Sequence, residues 1–190
     1  MRSDGPPYGS TVWLTDGEIR GSDALAAARA AYRGATVPLG FNGIGLEDGH
    51  RLGTRAELAV AKLLHIYPQI GVDDARDIPD WDLALHDGRT IEVKFRRPYG
   101  GEFALNNNRP TSFKTDFGIL VWPGDAEDSL VVVGYMTRGD FARWSYEKNL
   151  GRGWRLVYPN DRLRPISDIQ YIARSRHMDT EVEQGELIAA

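Results

Sequence analysis

Three side chains within one short stretch are spaced for chemistry on a charged substrate. Asp82, Glu92 and Lys94 lie in two apolar runs, Trp81-Asp82-Leu83-Ala84-Leu85 and Thr90-Ile91-Glu92-Val93-Lys94-Phe95, joined across Asp87-Gly88. Alternating apolar residues on either side of Asp-Gly predict a β-hairpin. A two-residue loop would set Leu83 opposite Glu92 and leave both faces mixed. A three-residue loop, His86-Asp87-Gly88 with Gly88 left-handed, sets Asp82 opposite Glu92 and Asp80 opposite Lys94. The other face then collects Trp81, Leu83, Leu85, Ile91 and Val93. Register follows the buried face, so the second pairing is expected.

That register brings two carboxylates together, which costs stability unless positive charge sits between them. A divalent cation answers this, and Mg²⁺ (or Mn²⁺) takes one or two carboxylates while keeping sites for water and phosphate oxygens. Lys94, one step along the same face, is placed to steady an attacking hydroxide and the charge developing on a phosphate. Glu-x-Lys alone is common on the wet face of a strand; here the apolar strands around it give the motif a context. An acid/base pair acting on a glycoside is a rival reading, but opposed carboxylates stand close for that chemistry and leave Lys94 idle.

The elements that must carry these residues are read from the rest of the chain. At 190 residues, one core is expected. Apolar residues make up 42% and charged residues 26%, as in ordinary globular proteins. Apolar runs stop at five or six residues, far short of the roughly 20 of a membrane span, and the glycines and prolines near the N-terminus are unlike an export signal. The expected setting is cytoplasmic, without membrane partners. With no cysteine, disulfides and thiolate metal sites are excluded. A net charge of −4 argues against a uniformly basic nucleic-acid-binding surface, though not against a local one.

Ser22 reads as the N-cap of a helix over 23–32, closed by Gly34, followed by a loop over 36–49. Thr54 opens a second helix that Pro68 stops. A short strand near 70–72, the hairpin, two apolar strands over 117–122 and 130–135, a helix over 138–148 and a strand over 155–158 follow. Residues 1–50 thus read as an N-terminal extension whose helix packs on the core, 51–173 as the main domain, and 174–190 as an acidic, loosely held tail.

Gly53-x-x-x-Glu57 on a helix, Pro79-Asp80-Trp81-Asp82-Leu83 and Ile91-Glu92-Val93-Lys94 on consecutive strands together resemble the PD-(D/E)xK, restriction-endonuclease-like nuclease superfamily, over about residues 53–122. The resemblance implies an α/β fold, a mixed β-sheet flanked by helices with an αβββαβ-type core plus N- and C-terminal additions. It also implies metal-assisted phosphodiester hydrolysis of nucleic acid, with DNA as the expected partner. Asp82 and Glu92 become metal ligands, Lys94 the catalytic lysine and Glu57 a further ligand. Asp80 competes with Asp82 for its role. Glu57 has an alternative as well, because Thr54-x-x-Glu57 reads as a capping box. The segment 102–115, with Pro110 and three asparagines, departs from the helix that the pattern expects there. A homodimer stays open, as a way to cut both strands, and so does a nucleic-acid-binding protein of this fold without catalysis.

Other residues carry weaker signals. Lys114, Arg96 and the Asn106-Asn107-Asn108-Arg109 loop lie where phosphate contacts would be useful. Trp144, Tyr146 and Trp154 are candidates for base stacking, although aromatics at such positions more often fill a core. The four histidines show no metal-ligand spacing.

Overall fold

A computed structural model of the chain describes residues 9–32, 46–66, 81–97, 100–105, 113–151 and 153–173. Strand β1 (Ser10–Trp13) precedes helices α1 (Asp16–Tyr32) and α2 (Leu46–Leu64). The hairpin strands β2 (Leu83–Ala84) and β3 (Thr90–Phe95) follow, then β4 (Phe103–Ala104), β5 (Phe117–Pro123) and β6 (Ser129–Thr137). Helix α3 (Arg138–Trp144), strands β7 (Tyr146–Asn149) and β8 (Trp154–Tyr158) and a helical segment at 166–173, here α4, complete the order. The fold is mixed α/β. Five strands in the order β1-β6-β5-β3-β2 form the main sheet, and β4-β8-β7 form a second, smaller one.

β5 reads Phe-Gly-Ile-Leu-Val-Trp-Pro and is buried on both faces, as a central strand covered by two layers should be. It pairs in parallel with β3 and antiparallel with β6. The parallel pair requires a crossover, and the described part of that crossover carries β4 and no helix. One sheet face, with Ile91, Val93, Ile119 and Val121, packs on Ala56, Ala59, Val60 and Leu64 of α2 and on Ile166 and Ile169 of α4. The spacing of the α2 residues is the apolar stripe of a helix lying on a sheet, and its alanines let the backbone come close. The other face, with Leu120, Trp122 and Met136, packs on Phe103, Leu156 and Tyr158 of the second sheet and on Phe141 of α3. Phe113 stacks on Phe141 with ring centres 4.9 Å apart.

A bulge between Leu120 and Val121 pairs Leu120 with Gly134 and Val121 with Val132. The extra residue reverses the alternation of β6: Leu130, Val132 and Tyr135 all join the α2 side, while Val133 and Met136 join the other. Directly after the bulge Gly134 is crossed by the chain at Arg164, which exchanges two backbone hydrogen bonds with Tyr135, at 3.0 and 2.7 Å.

Several expected boundaries move. α1 starts at Asp16 rather than after Ser22, because Thr15 and Glu18 form a reciprocal cap: Thr15 N–H donates to Glu18 Oε2 at 2.6 Å and Glu18 N–H to Thr15 Oγ1 at 3.3 Å. Ser22 lies inside the helix, its hydroxyl donating to the Ile19 carbonyl. α2 begins at Leu46, so residues 46–49 are helix and not loop. α3 stops at Trp144, and Tyr146–Lys148, expected as its last turn, lies in strand β7 (Tyr146–Asn149). β1 and β4 were not expected; β1 makes the N-terminal region part of the main sheet. The expected strand at 70–72, the closing Gly34 and the tail lie outside the described residues. Among the described residues no helix is long and apolar enough to cross a membrane.

A Cβ on Gly134 would stand 2.6 Å from the Arg164 carbonyl oxygen, a backbone atom that cannot swing aside. Gly134→Ala is therefore expected to lower stability by about 1–3 kcal/mol, read as a lower midpoint in urea unfolding.

Candidate active site

The hairpin forms in the three-residue register. Leu83 pairs with Ile91 and Ala84 with Thr90, Leu85 N–H donates to the Arg89 carbonyl at 2.8 Å, and Gly88 takes the left-handed conformation at φ 84°. A residue with a Cβ resists that backbone, which is why glycine closes the loop. Leu83, Leu85, Ile91 and Val93 are buried on one face as expected. Trp81 is not: it is 39% exposed, because the backbone bends at 81–82 and the ladder ends.

At that bend Asp82 does two things. Its N–H donates to the Ile91 carbonyl at 3.0 Å, and its Oδ2 accepts from Val93 N–H at 2.7 Å. The carboxylate therefore stands where a longer β2 would have supplied a backbone acceptor, and is held there by β3 itself. A carboxylate can accept about four hydrogen bonds, so one backbone donor leaves it capacity for a ligand.

Glu92 and Lys94 project from β3 on the face opposite Val93, and they form an ion pair with each other. They share this face with Arg96, whose guanidinium is spent on structure: it donates to the carbonyls of Glu102, Phe95 and Ala104. Burial lowers the Arg96 guanidinium from its usual value, while the Glu92 charge pulls it back up.

Glu57 comes from α2. Thr54 lies inside that helix, its hydroxyl donating to the His50 carbonyl at 3.0 Å, so Thr54-x-x-Glu57 is not a capping box. Glu57 instead accepts from Arg29 of α1 at 2.7 Å. Burial pushes the Glu57 carboxyl above its ordinary 4.5, the nearby Asp82 charge adds to this, and Arg29 and Lys94 oppose it without reversing it. The charges of Asp82, at a strand end, and Lys94, on a strand, thus both reach Glu57 on its helix. Glu57, Asp82 and Arg29 also line a cavity of about 230 Å³ between α1, α2 and the start of β2.

Among the described residues no three histidine, cysteine, aspartate or glutamate side chains converge to hold a metal as they stand. Glu92 is turned to Lys94 and Glu57 to Arg29. The donor chemistry nonetheless suits a hard cation, since Asp82 with either glutamate supplies the one or two carboxylates that Mg²⁺ uses. Asp80 and the 106–109 loop lie outside the described residues. Arg29 escaped the sequence reading. Its only signal is the general need of a buried carboxylate for a counter-charge, and nothing in 28 residues of separation says which cation supplies it.

In comparisons with known proteins, no family model matches the chain and no curated protein matches it.

The Glu57 shift has a stability consequence. A carboxyl raised in the fold holds its proton more tightly there than in the unfolded chain, so its ionisation costs stability above the folded value, and that cost is absent below the unfolded one. Glu57→Gln is expected to raise Tm at pH 7.5, with the gain shrinking as pH falls toward 4.5. Thermal unfolding of both proteins across that range checks it; an equal or lower Tm for the variant at pH 7.5 contradicts the reading.

Proposed function

We propose that this protein is a divalent-metal-dependent nuclease of PD-(D/E)xK type, hydrolysing phosphodiester bonds in DNA. The observation that carries the reading is that Glu57 and Asp82 line one partly buried cavity, where the Lys94 charge also acts on Glu57, with Glu92 tied to that same lysine. A stable fold gains nothing from a carboxyl held above its normal value, and such groups gather where chemistry is done. The resemblance of Gly53-x-x-x-Glu57, Asp82 and Glu92-Val93-Lys94 to the superfamily's motifs supports the same conclusion.

Asp82 and Glu92, with Glu57 as a further ligand, are the residues that would hold Mg²⁺ or Mn²⁺. When bound, the ion supplies an acidified water and charge stabilisation at the phosphate. The protein's own groups do the rest. Val93 N–H fixes Asp82, so that this carboxylate is oriented before substrate arrives. Lys94, once released from Glu92, places a compact cation beside the phosphate oxygens as negative charge builds on them. Arg29 neutralises Glu57 in the resting state. The two internal ion pairs also favour a second reading, a nucleic-acid-binding protein in which these charges only neutralise each other.

Cleavage separates the two. Linear and circular DNA, single- and double-stranded, is incubated with Mg²⁺, with Mn²⁺ and with chelator. Metal-dependent cutting is expected, and Lys94→Ala is expected to lower it by about 10²-fold or more, the scale of losing one electrostatic stabiliser of the transition state, with Tm nearly unchanged. Wild-type cleavage by the Lys94→Ala variant, or cleavage in chelator, rejects the mechanism. A folded protein that binds DNA and cuts none of these substrates supports the second reading.

A further inference from the structure

The β7–β8 hairpin lies outside the proposed site and is open to solvent along its outer strand. Every residue of β7 is exposed. Its turn is closed by Leu150 N–H donating to the Gly153 carbonyl at 3.2 Å, with Gly151 and Gly153 both at positive φ. Three aromatics read from the sequence as either base-stacking candidates or core sit on or beside it in the open: Trp154 is 57% exposed, Tyr146 41% and Trp144 37%. Scattered exposed aromatics are ordinary, but these three lie within eleven residues of one another. The charge is equally local. Residues 143–162 hold five basic and two acidic side chains in a chain whose net charge is −4.

Register sorts these groups onto two faces. Lys148 pairs with Arg155, and Tyr146 with Val157, so two cations and a phenol share one face; Trp154 pairs with Asn149 on the other, at the last rung before the turn. Like charges set directly across a ladder cost stability, and Glu102, which accepts from both Lys148 and the Tyr146 hydroxyl, meets only part of that demand. Glu102 also ties the hairpin to the site, since its carbonyl receives the guanidinium of Arg96, two residues from Lys94 on the same face of β3. Trp144 is already engaged, with the guanidinium groups of Arg162 and Arg143 at 4.3 and 4.9 Å from its ring centre. Trp154 is thus the aromatic placed to meet a ligand.

We infer that the β7–β8 hairpin binds nucleic acid at a junction of duplex and single strand. Trp154 stacks on the last base pair or the first unpaired base, and Lys148 and Arg155, on the opposite face of the ribbon, hold phosphates of the diverging strand. Stacking is indifferent to sequence and ion pairing to phosphate equally so, so the hairpin recognises the shape of a fork and not its bases. This inference rests on the reading of the site as one that acts on nucleic acid, and it names the form of that substrate.

Binding is measured in chelator with the full-length Lys94→Ala protein, so that cutting does not intervene, by fluorescence anisotropy on a forked duplex, a blunt duplex and a single strand over a range of NaCl. The fork is expected to bind tightest. Trp154→Ala is expected to weaken fork binding by roughly tenfold or more, with Trp154→Phe restoring most of it. Replacing both Lys148 and Arg155 by Ala is expected to lower the slope of log affinity against log salt by about 1 to 2. Equal affinity for fork and blunt duplex, fork binding unchanged by either set of substitutions, or a hairpin whose loss alters only self-association in sedimentation would overturn the inference. Hairpin-dependent fork binding by a wild type that never cuts leaves this inference standing and removes the nuclease; metal-dependent cutting indifferent to both sets of substitutions does the reverse.

Discussion

The N–H of Val93 is the point from which the site is built. β2 begins only at Leu83, and this donor, which a longer ladder would hand to a backbone carbonyl, goes to the carboxylate of Asp82. A charged acceptor makes a stronger bond than a neutral one, so the sheet gains a firm end while a negative charge is fixed beside α2. That charge makes ionisation of Glu57 harder, and a buried carboxylate in that position needs a cation, which Arg29 brings from α1. The packing of α1 on α2 is in this sense also an electrostatic requirement of the strand end. A second pair, Arg55 with Asp23 at 2.8 and 2.9 Å, binds the same two helices nearby.

The sequence was readable where one physical demand had one local answer. The hairpin is such a case, because only one register gives Leu83, Leu85, Ile91 and Val93 a common buried face. It therefore gave the pairing of Leu83 with Ile91 and of Ala84 with Thr90, and it failed at Trp81 only where the ladder itself gave out. Helix starts were harder, since the motif Thr-x-x-Glu stands both before α1 and within α2. Thr15-x-x-Glu18 is a true cap, and Thr54-x-x-Glu57 lies mid-helix, where the threonine bonds back to His50. The residues are identical in kind, and what separates them is whether the preceding backbone is already helical. Likewise Tyr146–Asn149 continues a helical pattern in composition, but β8 offers it a ladder and the helix stops at Trp144. Long-range partners such as Arg29 and Glu57 left no trace in spacing.

The two faces of the main sheet have separate tasks. One is packed by α2 and α4 into a continuous apolar layer; the other carries the charged row of β3 and then the aromatic cluster under the second sheet. The change of character happens along single strands. On β5, Gly118 stands in register with Glu92, and the space a side chain would need is filled by Met136 and Phe103. The charged row therefore ends directly against tight apolar packing, which limits how far water reaches along β3 and keeps its ion pairs in a medium where they count for more.

β1 is an edge strand whose partner is β6, Ser10 facing Val132 across more than 120 residues of chain. Contacts between such distant residues form late, because the loop that joins them must first be closed. As the polypeptide leaves a ribosome, α1 and α2 have their local hydrogen bonds available at once, while β1 has no sheet to join until β5 and β6 have followed. β1, made before the other described strands, is thus among the last to find its partner, and any segment that precedes it is carried through most of the folding process beside an unpaired strand.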